Sequence, residues 1–272
     1  MEATLNVEEN DVLKQFMELL GQQGMGGQAK DFLELCRYVA GMQIQLTVMT
    51  GELQGVREQL SKLQENQPRT VRYRLAERVE HFQGKITDTS NRLSETRNRL
   101  IGIAAQAVRT FLGKGKAAMC KVIRKMILPV KKMLEGCRKQ MAYAMADCQK
   151  TVNWMNSIGS EVKQIENGVS NLGRLLSGKD VKEIQGEKPG IGATRAISGV
   201  FKNIMAKLQK NINLVGKALN SLDKLSKRLE NTIAEAEKGA RASVREKLSQ
   251  TKSKTDQHKE APEQVKGKEM CM

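Results

Sequence analysis

The sequence predicts an all-α, elongated protein, a coiled-coil hairpin or helical bundle with a disordered basic C-terminal tail. Three observations carry that prediction. Aromatic residues make up only 3% of the 272-residue chain, with 4 prolines and 14 methionines, and unbranched side chains lose little rotamer freedom in a helix. Large apolar residues recur at alternating steps of three and four over several long stretches, the period of a helix stripe that faces a partner helix. The stretches are interrupted at glycine clusters and at prolines, which are costly inside helices.

Residues 1–27 read as a short acidic amphipathic helix and a glycine-rich loop. Val12, Leu13, Phe16, Met17 and Leu20 share a face, acidic residues crowd the first turn, where the helix dipole favours them, and "GQQGMGG" stops the helix. Residues 28–112 read as a heptad hairpin turning near Pro68. Its first helix carries the clearest signal in the chain: Phe32, Leu35, Val39, Met42, Leu46, Met49, Leu53, Val56, Leu60 and Leu63 step by three and four without a miss. Gly41, Gly51 and Gly55 lie outside that seam, where each costs about 1 kcal/mol relative to alanine. The return helix has a second seam from Leu75 to Ala107, weakened by Thr89 and Thr96. A parallel homodimer of the first helix is the rival arrangement.

Residues 113–177 read as a basic amphipathic segment that "GKGK" loosens from the hairpin and that kinks or breaks near Pro129. A proline inside a helix removes one hydrogen bond and crowds the preceding turn. Residues 178–196 have the composition of a linker. Residues 197–245 form a last heptad helix, with Asn211 on its seam, where a polar residue fixes register at a cost in stability. Residues 246–272, charged and poor in large apolar residues, read as a disordered tail.

The net charge of +16 is unevenly spread. Residues 1–66 carry 5 basic and 10 acidic side chains, whereas residues 67–150 carry 19 and 6. The basic middle is concentrated in Lys121, Arg124, Lys125, Lys131, Lys132, Arg138 and Lys139. Three readings of that helix stay open: a solvated bundle face, a salt-sensitive contact to nucleic-acid backbone, or attachment to an anionic membrane surface. The few aromatics count against stacking on single-stranded bases.

No motif for catalysis emerges. "GEKPGIGAT" at 186–194 lacks the Gly-Lys-Ser/Thr ending of a phosphate loop and reads as linker. The two histidines, His81 and His258, stand at no metal-ligand spacing, and the five scattered cysteines suggest reduced thiols rather than a disulfide framework. No secretion signal or membrane-spanning run is visible. The expectation is a cytoplasmic, non-enzymatic protein with no cofactor, metal or small-molecule substrate. Its contact surfaces are the heptad seams and its partner is itself or another helical protein. Nucleic acid is the alternative partner and an anionic membrane the second alternative.

"DFLELCRYV" followed by "GELQGVREQLSKLQ", within roughly residues 28–66, resembles the start of an uncharacterised helical domain-of-unknown-function family found in Firmicutes and associated with conjugative or integrative mobile elements. "KVIRKM" and the helical remainder are similar more loosely. The resemblance carries no catalytic residues across. It implies a bacterial cytoplasmic setting and an accessory role in element maintenance or transfer.

Overall fold

The computed structural model describes residues 10–62, 69–176 and 190–259, and every element among them is a helix. They are α1 (Asp11–Gln22), α2 (Gly26–Lys62), α3 (Arg69–Leu176) and α4 (Gly190–Lys259). Leu63, the turn at Pro68 and most of the expected linker fall outside the described residues.

α1 starts where Asn10 can cap it. The Asn10 side-chain oxygen accepts a hydrogen bond from the Leu13 amide at 3.1 Å, satisfying one of the free donors of the first turn. The chain leaves α1 through Gly24, whose φ of 68° lies in the left-handed region that glycine enters freely. α2 begins as early as Gly26, so the glycine-rich stretch is a loop of three residues rather than an extended break. Leu13, Phe16 and Leu20 pack inward, with the Phe16 ring edge-on to Phe32 at 5.0 Å.

α3 is two arms, 69–114 and 116–176, that meet at Gly115, the one residue inside it with non-helical torsions. Of the kink or break expected near Pro129, the break is absent: the helix runs through the proline. Ile127, Val130 and Leu134 on either side are buried, so packing holds the turn. Lys125, whose carbonyl loses its donor, is exposed to water. At Gly115, φ 75° and ψ −173° form a backbone combination essentially restricted to glycine. The chain reverses there. Arg78 Nη1 donates to Thr151 Oγ1 at 3.3 Å, Lys85 pairs with Asp147, and Thr89 Oγ1 lies 3.5 Å from Gln140 Oε1, all across the two arms.

Side-chain pairs order the other rods in the same way. Gln43 Nε2 donates to Ser94 Oγ and Arg57 Nη1 to Gln83 Oε1, both at 3.1 Å, so α2 runs antiparallel to the first arm. Arg228–Asp31 at 2.9 Å and Lys207–Glu52 set α4 antiparallel to α2. Lys121–Glu237 and Lys131–Asp223 set it antiparallel to the second arm. Each rod therefore neighbours two others in a four-helix ring, α2, first arm, second arm, α4, with alternating direction. Phe82 and Phe201 meet across the ring's interior, ring centroids 6.1 Å apart. α1 closes the end near Gly115, where Lys116 Nζ donates to the Gln23 carbonyl at 2.8 Å.

Two expected boundaries move. Residues 190–196, read as linker, already belong to α4, and residues 246–259, read as disordered, continue it as helix. The tail's Ala, Glu, Lys, Arg and Gln are poor core formers but strong helix formers. That composition lowers apolar content without lowering helix propensity. Residues 260–272 lie outside the described residues.

Candidate functional site

The seam assigned to association is inside the molecule. Phe32, Leu35, Val39, Met42, Leu46, Met49, Leu53, Val56 and Leu60 are each at most 3% exposed. Their partners are α1, α3 and α4 of the same chain, which cover the stripe through which the rival parallel homodimer would pair. A period of 3.5 says that a stripe needs a partner but not whose helix supplies it. Contact with other molecules must use the outward faces.

The seven basic residues of the second arm divide into two sets. Lys121 pairs with Glu237 at 2.8 Å, Arg124 with Glu230 at 2.5 Å and Lys131 with Asp223 at 2.7 Å. The three acids stand seven residues apart along α4 and form a row that takes up the cations opposite. The hydrogen bond from Lys121 holds the Glu237 carboxyl below its ordinary value, and the hydrogen bond to Asp223 raises the Lys131 ammonium above its own. One heptad earlier the row reaches Gly216, and Arg138 finds no acid. Lys125, Lys132, Arg138 and Lys139 are exposed and, among the described residues, make no ion pair. Lys125, Lys132 and Lys139 point straight out in one line seven residues apart. Leu128 and Tyr143 are exposed beside them, at 57% and 68%.

A second line escaped the sequence reading. Lys210, Lys217 and Lys224 on α4 are also seven apart and exposed, a spacing that was there to be counted. Lys224 lies three and four residues from Ser221 and Arg228, which contact α2. The acidic row of α4 therefore separates the two lysine lines.

α2 presents the opposite kind of surface. Residues 38–51 contain no charged side chain. At the centre of that run Ile44 and Val48 are 58% and 47% exposed, and a Cβ added to Gly51 or Gly55 would meet nothing within 4 Å. On the outward line charge returns at Arg37 and Glu58, both exposed, while Glu52 turns to Lys207 of α4 and Arg57 to Gln83 of the first arm.

The remaining polar features lie between the rods. A cleft of about 440 Å³ lies between the two arms of α3, lined by Glu77, Arg78, His81, Phe82, Asp147, Lys150 and Thr151. Arg78 stacks on Trp154 at 4.9 Å beside it. The Lys85 hydrogen bond holds the Asp147 carboxyl below its ordinary value, with the charges of Lys85, Lys150 and His81 acting in the same direction. Burial pushes the Cys36 and Cys148 thiols up to about 12 and Cys137 to about 11, and raises Cys120 as well, which keeps them from forming thiolates near neutral pH. Asn211 is fully buried, and among the described residues neither atom of its amide has a hydrogen-bond partner. The α2–α4 and α2–α3 pairings place it at the level of Thr89. Among the described residues no cluster of His, Cys, Asp or Glu could hold a metal ion, and no helix is long and apolar enough to cross a membrane.

These features define a class: an all-α antiparallel bundle, closed on itself, whose distinctive chemistry lies on its exterior. Within that class the chain belongs to a family of unknown function, DUF6674, whose model matches residues 9–269. No curated protein matches it in sequence.

Proposed function

We propose that the protein is a non-enzymatic association module, a self-contained bundle that engages a protein partner through the outward face of α2. One observation carries this reading: Ile44 and Val48 stand exposed at the centre of a charge-free run on a molecule in which 28% of residues are charged. Apolar residues without flanking charge form the dry centres of protein interfaces. The test is affinity capture from the native host, with nuclease treatment in parallel, comparing the natural chain with Ile44→Lys and Val48→Lys. Partners that survive nuclease and disappear with either substitution support the reading. Partners indifferent to both remove it.

The lysine line of the second arm supports a second reading, an accessory contact to nucleic-acid backbone, in keeping with the bacterial mobile-element setting that the sequence resemblance implies. Among the described residues Lys125, Lys132 and Lys139 make no ion pair, and they are evenly spaced. DNA retention at low salt should fall steeply with salt, and replacing the three by Gln should lower the log–log slope by about 0.9 for each phosphate no longer neutralised. No gel shift at low salt ends this reading, and co-pelleting with anionic but not neutral vesicles moves it to a membrane surface.

A further inference from the structure

We infer that the outward face of α2 takes a second copy of this chain, antiparallel, about a two-fold axis crossing the helix between Thr47 and Val48. The inference rests on the association reading above and goes beyond it by naming the partner and the register.

The outermost residues of α2 are Lys30, Arg37, Ile44, Gly51 and Glu58, seven apart and all exposed. Turning a second copy end for end about the point between 47 and 48 lays Arg37 against the partner's Glu58 and Ile44 against the partner's Gly51. Two-fold symmetry repeats each contact. One position toward α4, Val48 meets the partner's Val48, and Gly41 meets the partner's Gly55. Each bulky side chain thus faces a glycine or its own copy on the axis, and the two ends carry opposite charge. A parallel pairing would set Arg37 on the partner's Arg37 and Glu58 on the partner's Glu58. Sliding by one heptad sets Ile44 against itself and Arg37 against a glycine. Volume and charge together select one arrangement.

The geometry permits it. Arg37 and Glu58 are separated by about 31 Å along the helix. At a crossing angle of about 20° the paired ends diverge by only about 5 Å, within reach of an arginine. α2 occupies a corner of the ring, so α4 and its Lys210 and Lys217 fall back from the contact. Nothing inside the bundle needs Gly51 or Gly55. Glycines with equally open surroundings occur at Gly84 and Gly102, so it is the apolar pair and the opposed charges that single out this face. One helix against one helix buries little area, so the dimer is weak and reversible.

The test is sedimentation of the full chain carrying Cys271→Ser, taken up to about 0.5 mM because the contact is small. The expected result is a monomer–dimer equilibrium. Arg37→Glu or Glu58→Arg alone should weaken it about tenfold, since symmetry doubles the effect of each broken pair. The two changes in one chain should restore it, and a mixture of the two single variants should pair better than either alone. Gly51→Gln should weaken the dimer while helicity is kept, which separates damage to the interface from damage to the fold. Oxidation should link Val48→Cys chains into dimers and leave Asn98→Cys chains, altered on an exposed face of α3, as monomers. A chain that stays monomeric, or dimerises with no response to the charge exchange, overturns the inference. If it is monomeric while Ile44→Lys still loses protein partners from host extract, the association reading stands and only the second copy falls. If neither responds, both fall.

Discussion

α2 and the second arm of α3 are equally regular on the inside and opposite on the outside. Both bury a stripe stepping by three and four, from Phe32 to Leu60 in one and from Ile123 to Met155 in the other. Outward, α2 shows Ile44, Val48 and glycines with no charge across 38–51, while the second arm shows a lysine every seventh residue. The interior period is a requirement of the bundle and is common to all its rods. What differs between two rods of one bundle is free to be selected for something other than folding, so the outward lines are where function is to be sought.

The comparison breaks most visibly if inside and outside are exchanged. Leu46→Asp plus Leu53→Asp places two carboxylates at fully buried positions, and each unpaired buried charge costs several kcal/mol. The expected outcome is loss of the helical circular-dichroism signal at 25 °C. Ile44→Asp, two residues away but outward, should leave the melting curve within about 0.5 kcal/mol of the natural chain while removing association. Melting of the Ile44 variant would show that the face is part of the fold after all.

Smaller effects sharpen the picture. Gly115→Ala forces a side chain into torsions that only glycine tolerates and should cost about 1–3 kcal/mol by urea denaturation, whereas Gly51→Ala, on regular helix, should stabilise by up to about 1 kcal/mol. Asn211→Leu removes a buried amide without partners and should raise stability by about 1–3 kcal/mol. If it does so while the chain loses a single well-ordered state by NMR, the amide was holding register. The smallest effect concerns Lys85 and Asp147. Their contact lowers the carboxyl's value in the folded chain, so its stabilisation is complete above the ordinary 3.8 and is lost as pH falls through the lowered value. Lys85→Met should cost less than about 1 kcal/mol at pH 7, and that cost should shrink as acid is added below pH 4.

The helical class, the antiparallel α2–α3 hairpin and the buried stripes of α2, the first arm and α4 were legible, because a buried stripe imposes its period on the letters. Three things were not. Pro129 reads as a kink or break, and that the helix continues through it was not legible, because local rules see a missing hydrogen bond and not the packed Ile127, Val130 and Leu134 around it. Gly115 was visible within "GKGK" only as a loosening, since one glycine's torsions decide between a bend and a full reversal. The seam of α2 was legible as a contact surface and as one side of the hairpin, but not as wholly taken up within the chain, and once it is taken, the candidate face is one whose sequence signature is only missing charge. The cations of the second arm were legible as a basic face. Which of them are neutralised depended on Asp223, Glu230 and Glu237, about a hundred residues away.

Gly115 also bears on how the chain finds its shape. The pairs across it close loops of 51, 62 and 73 residues, at Thr89–Gln140, Lys85–Asp147 and Arg78–Thr151, like a strip doubled at a single crease. Closing the shorter loop first leaves each following pair only a few residues to search. Pairing can therefore spread from the crease toward the free ends, so that more than a hundred residues are gathered by a succession of short local steps.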